Sequence, residues 1–292
     1  MKSFQIIIAI VLSIFGLTAL VPASTQDALK IISRVDSVSR ESYKTSVTKI
    51  KLTTCKYEIK GGSLSCSENP RISVLESAQK HYGNETRSIA VVLEPSKDKG
   101  IGMLTYENLE AGKDNDTWLY LSAIGKVKRL VSSSEDSDES GSFFGSEFSV
   151  EDMSSRKVKD YTYKLIGEET YDNRKVWVIE SVPTALRVKK TKYGKITSWI
   201  DKERLLILKE DLYDHRGKLC KQLNRKGVEL IDKVWVVRVT TMNNLVSRRV
   251  TELRLISVAY NMEASDEFLT QRSLTDFAFR EKNLAKFRTY MK

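Results

Sequence analysis

Histidine, cysteine and proline are scarce in this 292-residue chain, and each scarcity narrows what it can do. The two histidines, His81 and His215, lie in polar, turn-like stretches, a poor basis for a histidine triad or a zinc site. Metalloprotease, P-loop and nucleophile-elbow motifs are missing. Adjacent acid pairs such as Glu168-Glu169 and Glu151-Asp152 point to opposite faces if they lie on strands, so they set up no acid/base geometry. No catalytic residue, metal ligand or cofactor is therefore expected, and the chain does not read as an enzyme. Four prolines, one of them near the N-terminus, leave no polar, proline-bearing linker, which predicts one domain over residues 24–292. Beyond the first two dozen residues no run approaches a membrane-spanning length.

The N-terminus is the clearest signal present. Lys2 supplies a positive start, an apolar run follows from Ile6 to Leu20, and Val21-Pro22-Ala23 places small residues at a cleavage point. Residues 1–23 read as a signal peptide cut near Ala23; the competing reading is an uncleaved anchor. Export disfavours nucleic acid as the partner of the +10 net charge, and the basic residues are dispersed among acidic ones rather than gathered in a patch. It also permits a disulfide. If Lys60-Gly61 forms a two-residue turn, Ile59 stands opposite Gly62 and Cys55 opposite Cys66. A one-residue slip would separate that pair and leave three free thiols. Cys220 reads as a small buried hydrophobe.

Helical spacing is confined to the start and end of the mature chain. Ala28, Leu29, Ile32, Val35 and Val38 make one apolar stripe from Gln26 to about Glu41, with Thr25 as the expected cap. From Tyr43 to Tyr260 the pattern is strand after strand, about ten or eleven in number, with turns at Asp172-Asn173, Asp201-Lys202, Arg216-Gly217 and Lys226-Gly227. No helix long enough for a crossover intervenes, so an antiparallel meander curled into an open barrel or bent sheet is predicted. Ser132 to Ser142 is a serine and acid run that must be solvated. A C-terminal basic tail, with Phe277, Phe279, Leu284 and Phe287 after a short helix from Asp266 to Leu274, either covers the sheet or contacts a membrane.

Three strands are bulky on both faces: Trp118-Leu119-Tyr120-Leu121, Val176-Trp177-Val178-Ile179 and Val234-Trp235-Val236-Val237. A sheet wet on one side would alternate. Either a packed core covers both faces, or the curved sheet encloses an apolar pocket able to take acyl chains. In the second case Trp118, Tyr120, Trp177, Ile179, Trp199, Trp235 and Val237 are the candidate lining.

Thr105-Tyr106-Glu107-Asn108, the stretch from Asp116 to Arg129 around Trp118-Leu119-Tyr120-Leu121, and Gly141-Ser142-Phe143-Phe144-Gly145-Ser146-Glu147-Phe148 through Met153 resemble the bacterial outer-membrane lipoprotein-sorting protein family. These are relatives of the periplasmic lipoprotein carrier LolA. Asp160 to Gly167, Trp199 to Lys202 and Tyr213 to Leu219 follow in the same order, so the resemblance runs from about Met103 to Leu274. It implies a mainly β, LolA-like open antiparallel barrel, with an N-terminal helix and short additional helices on the concave side. It also implies a periplasmic, envelope-associated carrier that binds a lipid or the acyl chains of a lipoprotein and transfers it across the envelope. The expected partners are an inner-membrane transporter of the resistance-nodulation-division type and an outer-membrane acceptor. The alternative is an adaptor module of an envelope export complex without lipid cargo. Gly141, Phe143, Gly145, Phe148, Glu151 and Asp152 fall in the family's glycine-phenylalanine loop, structural or gating. There the glycines are expected to permit tight turning and the phenylalanines to dock the loop. Glu151 and Asp152 are expected to hold backbone amides or Lys128 and Arg129.

Overall fold

The computed structural model describes residues 23–60, 63–130 and 141–291. The leader up to residue 22, Gly61 of the expected turn and residues 132–140 of the serine-acid run lie outside the described residues.

Strand-forming β-branched and aromatic residues dominate the chain between its two helical ends, and they build one 14-stranded antiparallel sheet. After helix α1 (Ala23–Glu41) come β1 (Thr45–Lys60), β2 (Ser63–Cys66), β3 (Arg71–His81), β4 (Glu85–Glu94), β5 (Gly102–Asn108), β6 (Asp116–Leu121) and β7 (Lys126–Leu130). The short helix α2 (Val150–Met153) leads into β8 (Tyr161–Tyr171), β9 (Arg174–Pro183), β10 (Lys195–Asp201), β11 (Ile207–Tyr213), β12 (Leu219–Ile231), β13 (Val234–Asn244) and β14 (Arg249–Tyr260). Their spatial order is β7-β6-β5-β4-β3-β1-β14-β13-β12-β11-β10-β9-β8, with β2 paired to β1. Two meanders are thus joined along β1, which lies between β3 and β14. The sheet exceeds the expected ten or eleven strands because β2, β3 and β7 carry too many polar or charged residues to signal themselves by hydrophobicity.

Two turns differ from expectation. The β12–β13 hairpin turns at Asp232-Lys233, both at positive φ, with Ile231 opposite Val234; β12 keeps its pairing with β13 past Lys226-Gly227, although Gly227 has a φ of 66°. In the β1–β2 hairpin Ile59 faces Leu64 and Tyr57 faces Cys66, a register two residues away from the expected one. A shift of two keeps every side chain on its original face. Cys55 and Cys66 therefore become diagonal neighbours on one face, and they form the disulfide across 5.7 Å between their Cα atoms. Cys220 is a free thiol, part-buried rather than fully enclosed.

The two sheet faces bury different partners. On one, Ile50 pairs with Leu75 and Leu75 with Val92, while in the other half Ile179, Ser198, Glu210, Leu223 and Met242 form a continuous cross-strand row. This face gathers apolar side chains from both halves of the sheet around Ala28, Ile31, Ile32 and Val35 of α1, so it is the concave one. Thr25 lies within α1 (Ala23–Glu41) rather than capping it, and Leu29 of the expected stripe is exposed.

On the opposite face Val47 pairs with Ala78, Ala78 with Ile89 and Ile89 with Leu104. The C-terminal helices cover this row, which corrects their expected place on the concave side. A short 3-10 turn (Asp266–Leu269), α3 (Arg272–Thr275) and α4 (Phe277–Arg288), whose first turn is capped by Asp276, bring Phe268, Leu274, Leu284 and Phe287 onto it. The chain leaves β14 at the sheet's midline and crosses its convex side, where Gly102 makes room. A Cβ at Gly102 would stand 2.9 Å from the Leu274 side chain. Arg288 fastens the end of α4 through a two-pronged ion pair with the buried Glu76. Among the described residues no helix is long and apolar enough to cross a membrane.

Candidate ligand cavity

Helix α1 lies in the trough of the concave face but does not fill it. Between its C-terminal half, the segment after α2 and the inner faces of β8–β14 there is a cavity of about 570 Å³. That size is in the usual range for sites holding a small amphiphile. Ile32, Val35, Val38 and Tyr43 form one apolar wall, and Tyr163, Leu223, Leu255 and Val234 through Val237 contribute others. The β12–β13 hairpin pairs with β14 only from Val239 onward, so its tip stands free of that neighbour and supplies the outer wall. Arg204, from the β10–β11 loop, stacks over the Trp235 ring at 4.7 Å and fastens this arm.

One side of the cavity is polar. Arg156 grips Glu210 with two parallel bonds of 2.5 and 2.6 Å, and the Ser198 hydroxyl donates a third at 2.9 Å. The Glu210 side chain is only 2% exposed, so the carboxylate is sealed, while that of Arg156 retains 32% and is part of the cavity lining. Burial pushes the Glu210 carboxyl up, but Arg156, with Arg225 behind it, outweighs this and holds it below the ordinary glutamate range. Arg225 donates to the Ile207 carbonyl oxygen at 3.0 Å.

The glycine-phenylalanine loop closes the trough beside α1. Phe143, Phe148 and Val150 are buried in the concave-face core, and the Phe143 amide donates to the Phe148 carbonyl oxygen at 2.8 Å. Gly145, at a φ of 74°, packs so closely beneath the Arg71 guanidinium that a Cβ would collide with it. Ser149 and Asp152 form a reciprocal capping box that starts α2. Asp152 also accepts from the Tyr193 hydroxyl (2.7 Å) and the Lys221 ammonium (2.8 Å), and Glu151 from Arg187 (2.6 Å). Glu147 ties the loop to the other side through Asn244 and Arg249. Of the expected acid partners the amides are found, those of Ser149 and Lys192. Arg129 pairs instead with Asp116, because β7 carries it to the far edge of the sheet.

The structure divides the seven aromatic and aliphatic candidates three ways. Trp235 and Val237 line the cavity. Trp177 and Ile179 are on the concave face within the packed core. Trp118 and Tyr120 contact the C-terminal cap on the convex face, and Trp199 faces outward too, where Glu169 accepts from its indole and Lys209 lies 3.9 Å above its ring centre. The cavity's polar residues went unrecognised in the sequence, although a signal was there. Glu210 shares strand parity with the buried Leu212, and Arg225 with Leu223, so each is a charge on an inward position.

A family model described as uncharacterized-protein-like matches residues 84–276. None of the curated proteins matches the sequence significantly. Among solved structures, a domain described as an outer membrane lipoprotein-sorting protein from Vibrio parahaemolyticus is 23% identical, with a TM-score of 0.76 over 86% of this chain and 99% of its own. A DUF1329 family protein from Desulfovibrio piger is 25% identical, with a TM-score of 0.75 over the same shares. A LolA superfamily protein from Nitrosomonas europaea reaches a TM-score of 0.59 at 18% identity, covering 83% of this chain and 97% of its own. The chain therefore belongs to the family of the matching model, and its open curved sheet is the fold of the outer-membrane lipoprotein-sorting proteins and their LolA-type relatives.

Proposed function

We propose that the protein is a non-catalytic carrier of the bacterial envelope, exported to the periplasm by cleavage near Ala23, that holds a lipid or the acyl chains of a lipoprotein in the cavity under α1 and hands it to an acceptor. The observation that carries this reading is the incomplete filling of the trough by α1: apolar walls meet around a volume large enough for an acyl chain. Transfer of one methylene from water contributes about 0.8 kcal/mol, so roughly ten supply about 8 kcal/mol. That matches a micromolar complex before ordering costs are subtracted, strong enough to retain a lipid and weak enough to release it. The similar structures described as lipoprotein-sorting and LolA-superfamily proteins support the same class of role. An adaptor that binds its partner through the basic C-terminal tail would need those side chains free, whereas Arg280 is buried against the Ser273 and Leu274 carbonyls and Arg288 is engaged by Glu76, which weighs toward the carrier.

The test is extraction and mass spectrometry of the exported, purified chain beside a Val35→Trp variant, whose indole would occupy the cavity. Copurifying acyl lipid in the parent, lost in a variant with an unchanged circular dichroism spectrum, is the expected result. An empty parent, under conditions in which a control carrier keeps its ligand, would overturn the proposal.

A further inference from the structure

The charged residues lining the cavity do not balance. Five arginine and lysine side chains face three carboxylates, and each carboxylate already has a cation. Asp36 pairs with Arg40, Asp152 with Lys221, and Glu210 is held by both prongs of Arg156. Arg225 is the cation left over deepest in the row. It sits on the inward side of β12 next to Leu223, is part-buried, and has no carboxylate within ion-pair distance among the described residues. A guanidinium carries five N–H donors, and the Ile207 carbonyl oxygen takes one of them. Burial disfavours its charge, the attraction of Glu210 favours it, and the neighbouring Arg156 opposes it, so the site is short of negative charge.

Resting on the carrier reading above, we infer that the cargo is an anionic amphiphile whose acid headgroup is received by the spare donors of Arg225, with the exposed side of Arg156 as its neighbour, while its tail lies along Val35, Val38 and Leu255. A neutral lipid would leave the Arg225 donors facing hydrocarbon, the costly arrangement for a buried polar group. An acid oxygen supplies charge-assisted bonds in a site where water is displaced by the tail. Glu210 has a second consequence: by occupying Arg156 it keeps the cavity from collecting small anions without a tail and leaves Arg225 as the selective contact.

Competition with a fluorescent fatty-acid probe, at pH 8 and below micelle-forming concentrations, separates the possibilities. Dodecanoate and dodecyl phosphate are the two acid-headed ligands, one carrying the carboxylate of a free fatty acid and the other the phosphate of a phospholipid. Dodecanol is the neutral control. Both acids are expected to bind at least tenfold more tightly than the alcohol, and whichever binds more tightly identifies the headgroup. Arg225→Met should reduce that preference to twofold or less by weakening the acids while dodecanol binds at least as tightly as to the parent, and Arg225→Lys should restore part of it. Equal binding of acids and alcohol by the parent, or an undiminished preference in a folded Arg225→Met, would overturn the headgroup assignment and leave the lipid-carrier reading standing. If none of the three ligands displaces the probe and the probe itself does not bind, the carrier reading fails with it.

Discussion

Replacing Arg156 by methionine removes the cation from the Arg156–Glu210 pair while keeping its apolar stem. Two unit charges about 4 Å apart attract by about 4 kcal/mol at the effective dielectric of a protein surface, an attraction offset by the cost of desolvating them. The loss matters most for Glu210, whose side chain is 2% exposed and cannot turn to water. Stranding one partner of a buried pair costs roughly 3–5 kcal/mol. Ser198 still donates to Glu210, and Arg225 still attracts it from beyond ion-pair distance, so about 2–3 kcal/mol is expected at pH 7. Glu210→Gln should cost less, about 1–2 kcal/mol, because the stranded Arg156 reaches the cavity and its water. The double variant Arg156→Met with Glu210→Gln should cost less than the two single changes together, by about 1–3 kcal/mol of coupling. Urea unfolding followed by tryptophan fluorescence measures all four proteins. The pH dependence gives an independent check. The folded-state carboxyl of Glu210 is depressed, so its contribution is fully present above the ordinary glutamate pKa of about 4.3 and disappears as pH falls through the lower folded value. The gap between parent and Arg156→Met must therefore close in acid. A loss below about 1 kcal/mol at pH 7, or costs that simply add, would refute the assignment of this pair as a buried, coupled unit.

Three further outcomes follow from other parts of the fold. Phe148→Ala empties a fully buried site where the glycine-phenylalanine loop meets the core, and calorimetry should register a loss of about 3–5 kcal/mol. Cys55→Ser with Cys66→Ser removes a cross-link between residues 11 apart in sequence; the chain-entropy account gives about 3 kcal/mol, visible as a lower urea midpoint that matches the reduced parent. Glu107→Gln works in the opposite direction: burial raises this carboxyl, so the wild-type side chain supports the fold below the unfolded glutamate pKa and loses that support as pH rises through its folded value. The variant should melt higher than the parent at pH 8 and about level with it at pH 4, and an equal shift at both would show that ionisation is not the cause.

What could be read from the residues, and what could not, divides along a physical line. Alternation and turn chemistry are local, so the meander, the Asp172-Asn173 turn and the pairing of Cys55 with Cys66 were legible. The disulfide survived an error in register because a slip of two residues preserves the face. The place of Trp118 was not legible, since alternation says that its neighbours point the other way but not which side is concave. That distinction depends on where the chain goes after Tyr260, a contact more than a hundred residues away. Strand β3 escaped notice for a related reason: Glu76 is buried yet charged, and its partner Arg288 lies 212 positions later.

The two-sided apolar strands therefore have two different explanations in one sheet. In the β3–β6 half, the convex face is consumed by the C-terminal helices, and Trp118 and Tyr120 are packing residues of that cap. In the β8–β14 half, the concave face is shared between the core under α1 and the cavity, and it is there that inward charges such as Glu210 and Arg225 occur. A packed core gains nothing from a buried ion pair that apolar residues of equal volume could replace. Such a pair nevertheless occurs in the cap, where Glu76 is buried with Arg288, so neither a paired charge nor a large aromatic side chain separates wall from core; an inward arginine with unspent donors does, because it asks for a ligand.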